Sequence, residues 1–408
     1  MNICILAKTT LVHNMGGMEV HLKTISETVS KMGHKVVIIS TRHPQGLDYE
    51  EKNGCHIYYL NNTIPARYTK SWWRESKKKV IELHNEYKFD VIWSEAFAGY
   101  YYAWKVKPII KVPIVCVLHG LGITGHIKSE WSRISTIREY MHFFTKFLPE
   151  AILFYTFWFY RTLKYSDGII GVSDKTIAAV RKEFKVPSNK TFVVYNGIDT
   201  EVFKPDENQK YEVRQKYSLD NQTKIILMSA VIHKQKGIHY GLEAFVEIKR
   251  KISNVKLMIV GDGPHFAFMK QLTDKLSIEK DVVFCGRIPN EQISKYYNTC
   301  DVFINPTIRD EGLPFTIVEA MSCGKPVITS NIGGIKSTIE DGINGFFVKP
   351  KDVNMLAEKT IEVLSNKKTA ESFGQDARKK AAEKFSKTKM ANDYLNISRK
   401  FNGDYKRA

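Results

Sequence analysis

The chain alternates short apolar runs with stretches of helical periodicity, and it goes through this alternation twice. In the first half, apolar side chains recur at helical spacing from Leu22 to Met32, and Gly33 supplies a stop. In the second half, one apolar helix face extends from Ile238 to Ile252. The candidate strands are 2–7, 35–40, 56–60, 90–93, 113–118, 167–172, 191–195, 224–230, 256–260, 281–285, 301–305, 326–330 and 345–348. This alternation predicts two Rossmann-like α/β domains, each a parallel sheet covered on both faces.

Length and one polar segment divide the pattern in two. At 408 residues the chain is longer than a single hydrophobic core usually grows. Residues 199–206 are polar and carry Pro205, so we expect domains at 1–203 and 204–385, with a final helix at 386–408 that returns to the first domain. Ligands of such sheets bind at the carboxyl ends of the strands. If the two carboxyl edges face each other, the active site lies in the cleft between them.

Cysteine usage and charge limit the cellular context and the partners. The six cysteines form no CxxC pair, and the N-terminus lacks the basic region of a signal peptide, so we expect a cytoplasmic protein. The net charge of +18 favours anionic partners, although solvated lysines such as those at 77–79 explain part of it. Without zinc-ligand spacing, RNP-like aromatics or a helix-turn-helix signal, a nucleic-acid partner is not expected.

Two loops that follow strands have the composition of phosphate sites. Gly16 and Gly17 follow the first strand and open a helix, and Lys236 and Gly237 occupy the same place in the second half. Glycines allow close approach of the backbone to an anion, and a helix N-terminus offers free N–H groups. Each signal alone leaves an alternative open: an ordinary Gly-Gly turn in one case and a solvated loop lysine in the other.

A third loop carries two glutamates, Glu311 and Glu319, on either side of Pro314, which suits a first helical turn. Eight helical residues rise about 12 Å, whereas the carboxyl pair of a retaining glycosidase is about 5–5.5 Å apart. The pair therefore suits opposite ends of one extended ligand, with the amides of 313–316 between them. A solvated surface position for Glu319 fits poorly with its apolar neighbours in sequence. His119 ends an apolar strand at the predicted cleft edge, where a structural and a functional role are both open.

Several short motifs follow one another over about 300 residues of the chain. They are Gly16-Gly17-Met18-Glu19, Tyr195-Asn196-Gly197-Ile198-Asp199, Lys236-Gly237, Val260-Gly261-Asp262-Gly263-Pro264, Phe284-Cys285-Gly286-Arg287-Ile288, and Glu311 with Glu319 as E-x7-E. With these motifs the sequence resembles the retaining GT-B glycosyltransferases that use UDP- or GDP-sugars.

The resemblance implies roles for individual residues. Glu319 would bind the ribose hydroxyls of the donor, while Glu311 and His119 would contact the transferred sugar. The sugar and phosphates of the donor would lie along the backbone of Gly312, Leu313, Phe315 and Thr316. The diphosphate would be met by Gly16, Gly17, Lys236 and Gly237, and the nucleobase by Arg287 and Ile288.

One position departs from the family pattern. Members of the family usually carry a second cationic residue six positions before the lysine that corresponds to Lys236, and here that position is Ala230. Lys234 or Arg309 could replace it. The substitution also raises the alternative of a partner subunit without catalysis. A UDP-sugar epimerase is a further alternative, although that group lacks E-x7-E.

The activity implied is transfer with retention, so that an α-linked donor gives an α-linked product on a glycan or lipid-linked acceptor. No D-x-D sequence occurs, so we expect no metal ion and no cofactor, with lysine and helix dipoles acting on the diphosphate.

Residues 140–164 depart from an average Rossmann-like half because of their aromatic content. Phe143, Phe144, Phe147, Phe154, Phe157, Trp158 and Phe159 are flanked by Lys128, Arg133, Arg138, Arg161 and Lys164. Lys146, Pro149 and Glu150 interrupt the segment, so it is unsuited to span a bilayer. It could lie at an anionic membrane surface or form a core helix pair. With the charge of +18, we favour peripheral attachment at the inner face of the cell membrane.

Overall fold

In a computed structural model, the chain divides into two compact units, Met1–Gly197 with Lys387–Ala408, and Ile198–Ser386. The structure describes residues 1–14, 16–120, 123–131, 134 and 136–407, and for 128, 129 and 404–407 it describes the backbone alone. The polar segment 199–206, interpreted above as the linker, lies within the second unit.

The first unit is built on an eight-stranded sheet. Its strands are β1 (Asn2–Leu6), β2 (Lys35–Thr41), β3 (Tyr49–Lys52), β4 (Cys55–Leu60), β5 (Val91–Glu95), β6 (Ile114–Leu118), β7 (Gly168–Gly171) and β8 (Thr191–Val193). They lie in the order β3-β4-β2-β1-β5-β6-β7-β8, and every neighbouring pair is parallel except the β3–β4 hairpin. Strands β5 and β6 are buried along their whole length, as expected for a parallel sheet covered on both faces.

Helices cover this sheet. They are α1 (Gly17–Lys31), α2 (Lys70–Tyr87), α3 (Lys107–Ile110), α4 (Ile123–Trp131), α5 (Ile137–His142), α6 (Leu148–Leu153), α7 (Tyr160–Tyr165) and α8 (Asp174–Phe184). From α5 to α7 the chain is continuously helical, because π-helical turns at Phe143–Phe147 and Phe154–Phe159 join the three α-helical pieces. Of the described residues, no helix is both long enough and apolar enough to cross a membrane.

The second unit has a six-stranded, fully parallel sheet. Its strands are β9 (Lys224–Ser229), β10 (Val255–Val260), β11 (Val282–Gly286), β12 (Val302–Asn305), β13 (Val327–Ser330) and β14 (Gly345–Val348), in the order β11-β10-β9-β12-β13-β14. Its helices are α9 (Glu207–Lys216), α10 (Ile238–Lys251), α11 (Phe266–Lys275), α12 (Ile293–Thr299), α13 (Phe315–Ser322), α14 (Val353–Ser365) and α15 (Lys367–Lys384). Two parallel α/β sheets are therefore confirmed, and each predicted strand is found within two residues of its predicted ends.

The last helix, α16 (Lys387–Arg407), belongs to the first unit. Its Met390, Tyr394 and Leu395 are buried in one apolar cluster with Leu22 and Ile25 of α1. The end of the chain therefore completes the core on which β1 and α1 rest.

Candidate active site

Both sheets bring the predicted site residues to the carboxyl ends of their strands, each within its own unit. In the first unit, Gly16 and Gly17 lie between β1 and α1, and His119 directly follows β6. Met15, in the same predicted loop, lies outside the described residues. In the second unit, the site residues that follow β9, β11 and β12 are Lys236, Gly237, Arg287, Ile288, Glu311, Gly312, Leu313, Phe315 and Thr316.

The glycine loop of the first unit is held by Glu19. Gly16 is the N-terminal cap of α1, with φ −130° and ψ 178°. A Cβ at Gly16 would lie 2.8 Å from Oε2 of Glu19, and the other oxygen, Oε1, accepts a 2.6 Å hydrogen bond from the Thr9 hydroxyl. The Glu19 side chain therefore packs directly against Gly16 at the start of α1, where a larger residue would clash with it.

In the second unit, Lys236 and Glu311 form an ion pair. Lys236 Nζ lies 2.7 Å from Glu311 Oε1, and the Thr307 hydroxyl donates to the same oxygen at 3.2 Å. Gly237 has φ +69°, and a Cβ there would lie only 2.0 Å from the Pro306 carbonyl oxygen, so the turn requires glycine. The lysine loop and the glutamate loop are thus fastened together at the carboxyl ends of β9 and β12.

This pairing changes the interpretation of the two residues. The resemblance gives Lys236 to the diphosphate and Glu311 to the sugar, whereas here each neutralises the other. Because the ammonium has three donors and Glu311 uses one, Lys236 can still bind an anion. A solvated loop lysine is not what the structure shows, since the Lys236 side chain is only 23% exposed.

Helix α13 begins one residue later than expected. Pro314 is its N-terminal cap, with φ −68° and ψ 126°, and Phe315 is the first helical residue. The segment from Glu311 to Pro314 is therefore not helical. The separation of about 12 Å between Glu311 and Glu319, which assumed eight helical residues, does not apply. The N–H groups of Phe315 and Thr316 belong to the first helical turn, where a helix cannot satisfy them internally. Unsatisfied N–H groups at a helix N-terminus favour anions.

Glu319 is a partly buried acid and not a solvated one. It lies within α13, where the Tyr297 hydroxyl donates to its Oε2 at 2.7 Å. Burial raises the pKa of Glu319 to about 7, although the Tyr297 hydrogen bond opposes this shift. Its carboxylate keeps capacity for further donors, as a pair of ribose hydroxyls would require.

Ala230 occupies the position where the family pattern has a cation, and it faces the protein. It packs against the apolar core of the second unit, and its N–H donates to the Val260 carbonyl at 3.0 Å. Gly261 has φ +129°, and a Cβ there would lie only 1.9 Å from the Ala230 carbonyl oxygen. Lys234 and Arg309 are exposed, and they lie close in sequence to the Lys236 turn and the Glu311 loop.

In the first unit, His119 has a partner that the sequence did not reveal. Glu95, the last residue of β5, is only 2% exposed, and its Oε2 is hydrogen-bonded to His119 Nε2. Burial alone would raise the pKa of Glu95, but the charge and hydrogen bond of His119, with a smaller effect of His21, hold it below its usual value. The buried acid is therefore ionised and paired.

His21 of α1 is fully buried beside this pair. Its Nδ1 lies 3.0 Å from Asn196 Oδ1, and since that oxygen can only accept, Nδ1 carries the hydrogen. The Tyr394 hydroxyl then donates to Nε2 at 3.1 Å. Burial and the neighbouring His119 lower the pKa of His21 to about 4, so the ring is neutral. The two imidazoles meet edge to face, with centroids 4.6 Å apart.

These three groups are also the ones closest to a metal-binding arrangement among the described residues. Ligand atoms of His21, Glu95 and His119 lie within 4.8 Å of one another. Both ring nitrogens of His21 are already hydrogen-bonded, so an ion could recruit it only by breaking one of those bonds. The donor set therefore fits a hydrogen-bonded network better than a metal centre.

Sequence reasoning missed Glu95 and His21 for different reasons. Glu95 ends an apolar strand in the same way as His119, and applying that criterion to β5 would have found it. His21 is a single polar residue on the buried face of α1, and nothing in the periodicity marks it.

The aromatic segment from α5 to α7 has two faces. One packs on β6, β7 and α8 through Ala151, Tyr155, Phe159 and Leu163. The other is exposed to solvent and carries Ile137, Tyr140, Met141, Phe144, Ile152, Leu153, Phe157, Trp158 and Tyr160. Arg138, Lys146 and Lys164 are exposed on the same stretch, whereas Arg133 and the side chain of Lys128 lie outside the described residues. The segment is thus neither wholly core nor wholly surface.

Comparisons with known proteins agree with this architecture. The model of the family "Glycosyltransferase Family 4" matches residues 15–202, and that of "Glycosyl transferases group 1" matches residues 209–380. An uncharacterised glycosyltransferase of Methanocaldococcus jannaschii is 27% identical over 94% of both chains. Alpha-monoglucosyldiacylglycerol synthase of Streptococcus pneumoniae is 25% identical over 82% of this chain and 73% of its own.

Among solved structures, Anabaena HepE in complex with UDP aligns with a TM-score of 0.76 at 20% identity, over 98% of this chain and 100% of that chain. At this identity the likeness concerns the fold, which is GT-B. The two family models together match residues 15–202 and 209–380, which are the larger part of each unit. The chain therefore belongs to the glycosyltransferases of family 4 and group 1, and it is an enzyme of the GT-B fold.

Proposed function

We propose that this enzyme transfers a hexosyl group from a UDP- or GDP-sugar to a glycan or lipid-linked acceptor, with retention and without a metal ion. The observation that carries the proposal is the grouping of Lys236, Glu311 and the start of α13 at one edge of the second sheet. A cation, an acid and free helical N–H groups in one place suit a sugar attached to a diphosphate. Anabaena HepE, which has the same fold, was solved with UDP.

The diphosphate is assigned to Lys236 and to the amides of Phe315 and Thr316. These groups neutralise the negative charge that develops on the leaving nucleoside diphosphate, the role that Mg²⁺ has in other transferases. Lys234 and Arg309 are the candidates for a second cation, because Ala230 is turned to the core. We name no protein nucleophile, since retention by front-face transfer requires none.

The rest of the donor is assigned to the flanking residues. Glu319 accepts hydrogen bonds from the ribose hydroxyls, and Arg287 with Ile288 lies at the nucleobase. Glu311 contacts the transferred sugar once the donor phosphates draw Lys236 away from it. In the first unit, His119 is the side chain assigned to the same sugar.

Donor binding is tested by calorimetry with UDP and GDP in EDTA, preceded by a thermal-shift panel of nucleoside diphosphates and their sugars. Lys236→Ala should weaken diphosphate binding by about 1.5–3 kcal/mol, the value of a hydrogen bond to a charged group. Lys249→Ala is a matched control, because Lys249 is also ion-paired, to Asp281 at 3.0 Å, and is 30% exposed. Unchanged affinity in Lys236→Ala, or binding only with Mg²⁺, would contradict the assigned phosphate site.

We also propose that the segment 140–164 attaches the enzyme to an anionic membrane surface. Its exposed aromatics and exposed cations have the combination that interfacial helices use. Arg161 lies 5.7 Å from the Phe157 ring centroid and 5.5 Å from that of Trp104, so charge and aromatic surface are interleaved. The name of the S. pneumoniae relative, a glycolipid synthase, supports a lipid-linked acceptor at such a surface.

A further inference from the structure

We propose that Glu95 is a positioning residue of this enzyme, which holds the His119 ring by Nε2 and leaves Nδ1 to contact the ligand. The inference rests on the proposed function only in naming that ligand as the transferred sugar. The arrangement itself lies entirely within the first unit.

Two neighbouring strands place Glu95 next to His119. Glu95 ends β5 and His119 follows β6, and these strands are parallel neighbours with Glu95 in register with Val117. The Ala96 N–H donates to the Val117 carbonyl at 2.8 Å, and the Tyr68 hydroxyl donates to the Glu95 carbonyl at 3.3 Å. These bonds fix the backbone at Glu95, and from there its carboxylate engages Nε2 of His119.

The carboxylate is reserved for His119. The titratable groups that face Glu95 are His119, His21, Tyr68, Cys116 and Tyr394. Burial raises the pKa values of the two tyrosines and the cysteine, so these groups stay neutral. His21 is neutral as well, with both nitrogens satisfied by Asn196 and Tyr394.

The consequence is a defined role for each ring nitrogen. An ionised carboxylate can only accept, so the Nε2 that lies against Glu95 carries a hydrogen. The other nitrogen, Nδ1, is then the one that can contact a ligand. Among the described residues, Nδ1 of His119 has no hydrogen-bond partner, and the side chain is 17% exposed. The free edge of the ring, which carries Nδ1, is thus directed away from Glu95.

The test is donor hydrolysis, together with ¹⁵N NMR of histidine-labelled enzyme at a pH where the His119 ring is neutral. Glu95→Gln should retain diphosphate binding by calorimetry and lower kcat at least tenfold. In the wild type, NMR should show the hydrogen of the His119 ring on Nε2 alone, and in Glu95→Gln it should be shared between Nε2 and Nδ1. Glu95→Asp, which keeps the carboxylate, should restore the Nε2–H form even where kcat stays low.

Asp167→Asn controls for the loss of a partly buried carboxylate in the same unit, since Asp167 pairs with Lys107 at 2.7 Å. It should lower stability and leave the hydrogen of His119 on Nε2. An unchanged Nε2–H form in Glu95→Gln, or wild-type activity that a chelator removes and Zn²⁺ restores, would overturn the proposal. If the wild type hydrolyses no donor, the proposed function fails, while the NMR comparison still decides whether Glu95 fixes the hydrogen of His119 on Nε2.

Discussion

Glu311 and Glu319 differ in what each carboxylate contacts, and this difference predicts separate effects on binding. Glu311 is ion-paired with Lys236, so Glu311→Ala leaves the Lys236 ammonium available for the diphosphate. This variant should not weaken the binding of UDP or GDP. Among the described residues, the Glu319 carboxylate is hydrogen-bonded only by the neutral Tyr297 hydroxyl, and its assigned partner is the ribose. Glu319→Ala should therefore weaken the binding of the nucleoside diphosphate by about 1–3 kcal/mol, measured by calorimetry at pH 8.

The control for this comparison is Glu340→Ala, which breaks the ion pair of Glu340 with Lys380 at 2.8 Å in the same unit. It should leave diphosphate affinity unchanged. Equal losses in the Glu311 and Glu319 variants would remove the division of labour between the two acids.

The raised pKa of Glu319 also predicts a pH dependence of stability. In the unfolded chain this acid ionises near its ordinary pKa of 4.5, and in the folded protein its pKa is about 7. The folded state therefore binds more protons between these values, and the free energy of unfolding should fall as pH rises from about 4.5 to 7. The contribution of Glu319 to this pH dependence is measured by comparing the denaturant unfolding of the wild type with that of Glu319→Gln at pH 5, 6, 7 and 8. A difference between the two proteins that stays constant from pH 5 to pH 8 would exclude it.

At the scale of elements, periodicity predicted the sheets well because both are mostly buried parallel strands with continuous apolar sequences. Strand β3 escaped because Tyr49-Glu50-Glu51-Lys52 is charged, and its one signal was the turn at Asn53 and Gly54, both with positive φ. Candidate site residues could be named from the sequence where a motif or a strand end marked them. His21 depends on tertiary contacts with Asn196 and Tyr394, which are 175 and 373 residues away in sequence, so no local pattern could indicate it.

The helical stretch from α5 to α7 carries the prediction that belongs to this scale. Phe144, Phe157 and Trp158 are 43%, 50% and 41% exposed, so replacing all three with serine should abolish co-sedimentation with anionic liposomes and preserve folding. Phe154 and Phe159 do not suit this test, because both pack on the core cluster that Ala151, Tyr155 and Leu163 form with β6, β7 and α8. High salt should release the wild-type protein in part, since it screens surface charges.

Two variants control for the membrane test. Phe268→Ser removes an aromatic that is 52% exposed in the second unit and should not change sedimentation. Phe159→Ser should lower stability strongly, because Phe159 is 9% exposed in the core cluster. Wild-type protein that ignores anionic liposomes at low salt would remove the membrane surface and favour a water-soluble acceptor.

The whole molecule, with its two α/β units, is a glycosyltransferase, and its proposed central property is retaining transfer from a nucleotide sugar without metal. Donor hydrolysis followed by ¹H NMR tests this property without knowledge of the acceptor, because the anomer formed first can be read before it equilibrates. With UDP- or GDP-α-hexoses in EDTA, we predict that one donor is hydrolysed to the nucleoside diphosphate and the α-hexose appears first. Initial release of the β-hexose, or turnover that depends on added Mg²⁺, would contradict retaining, metal-free transfer.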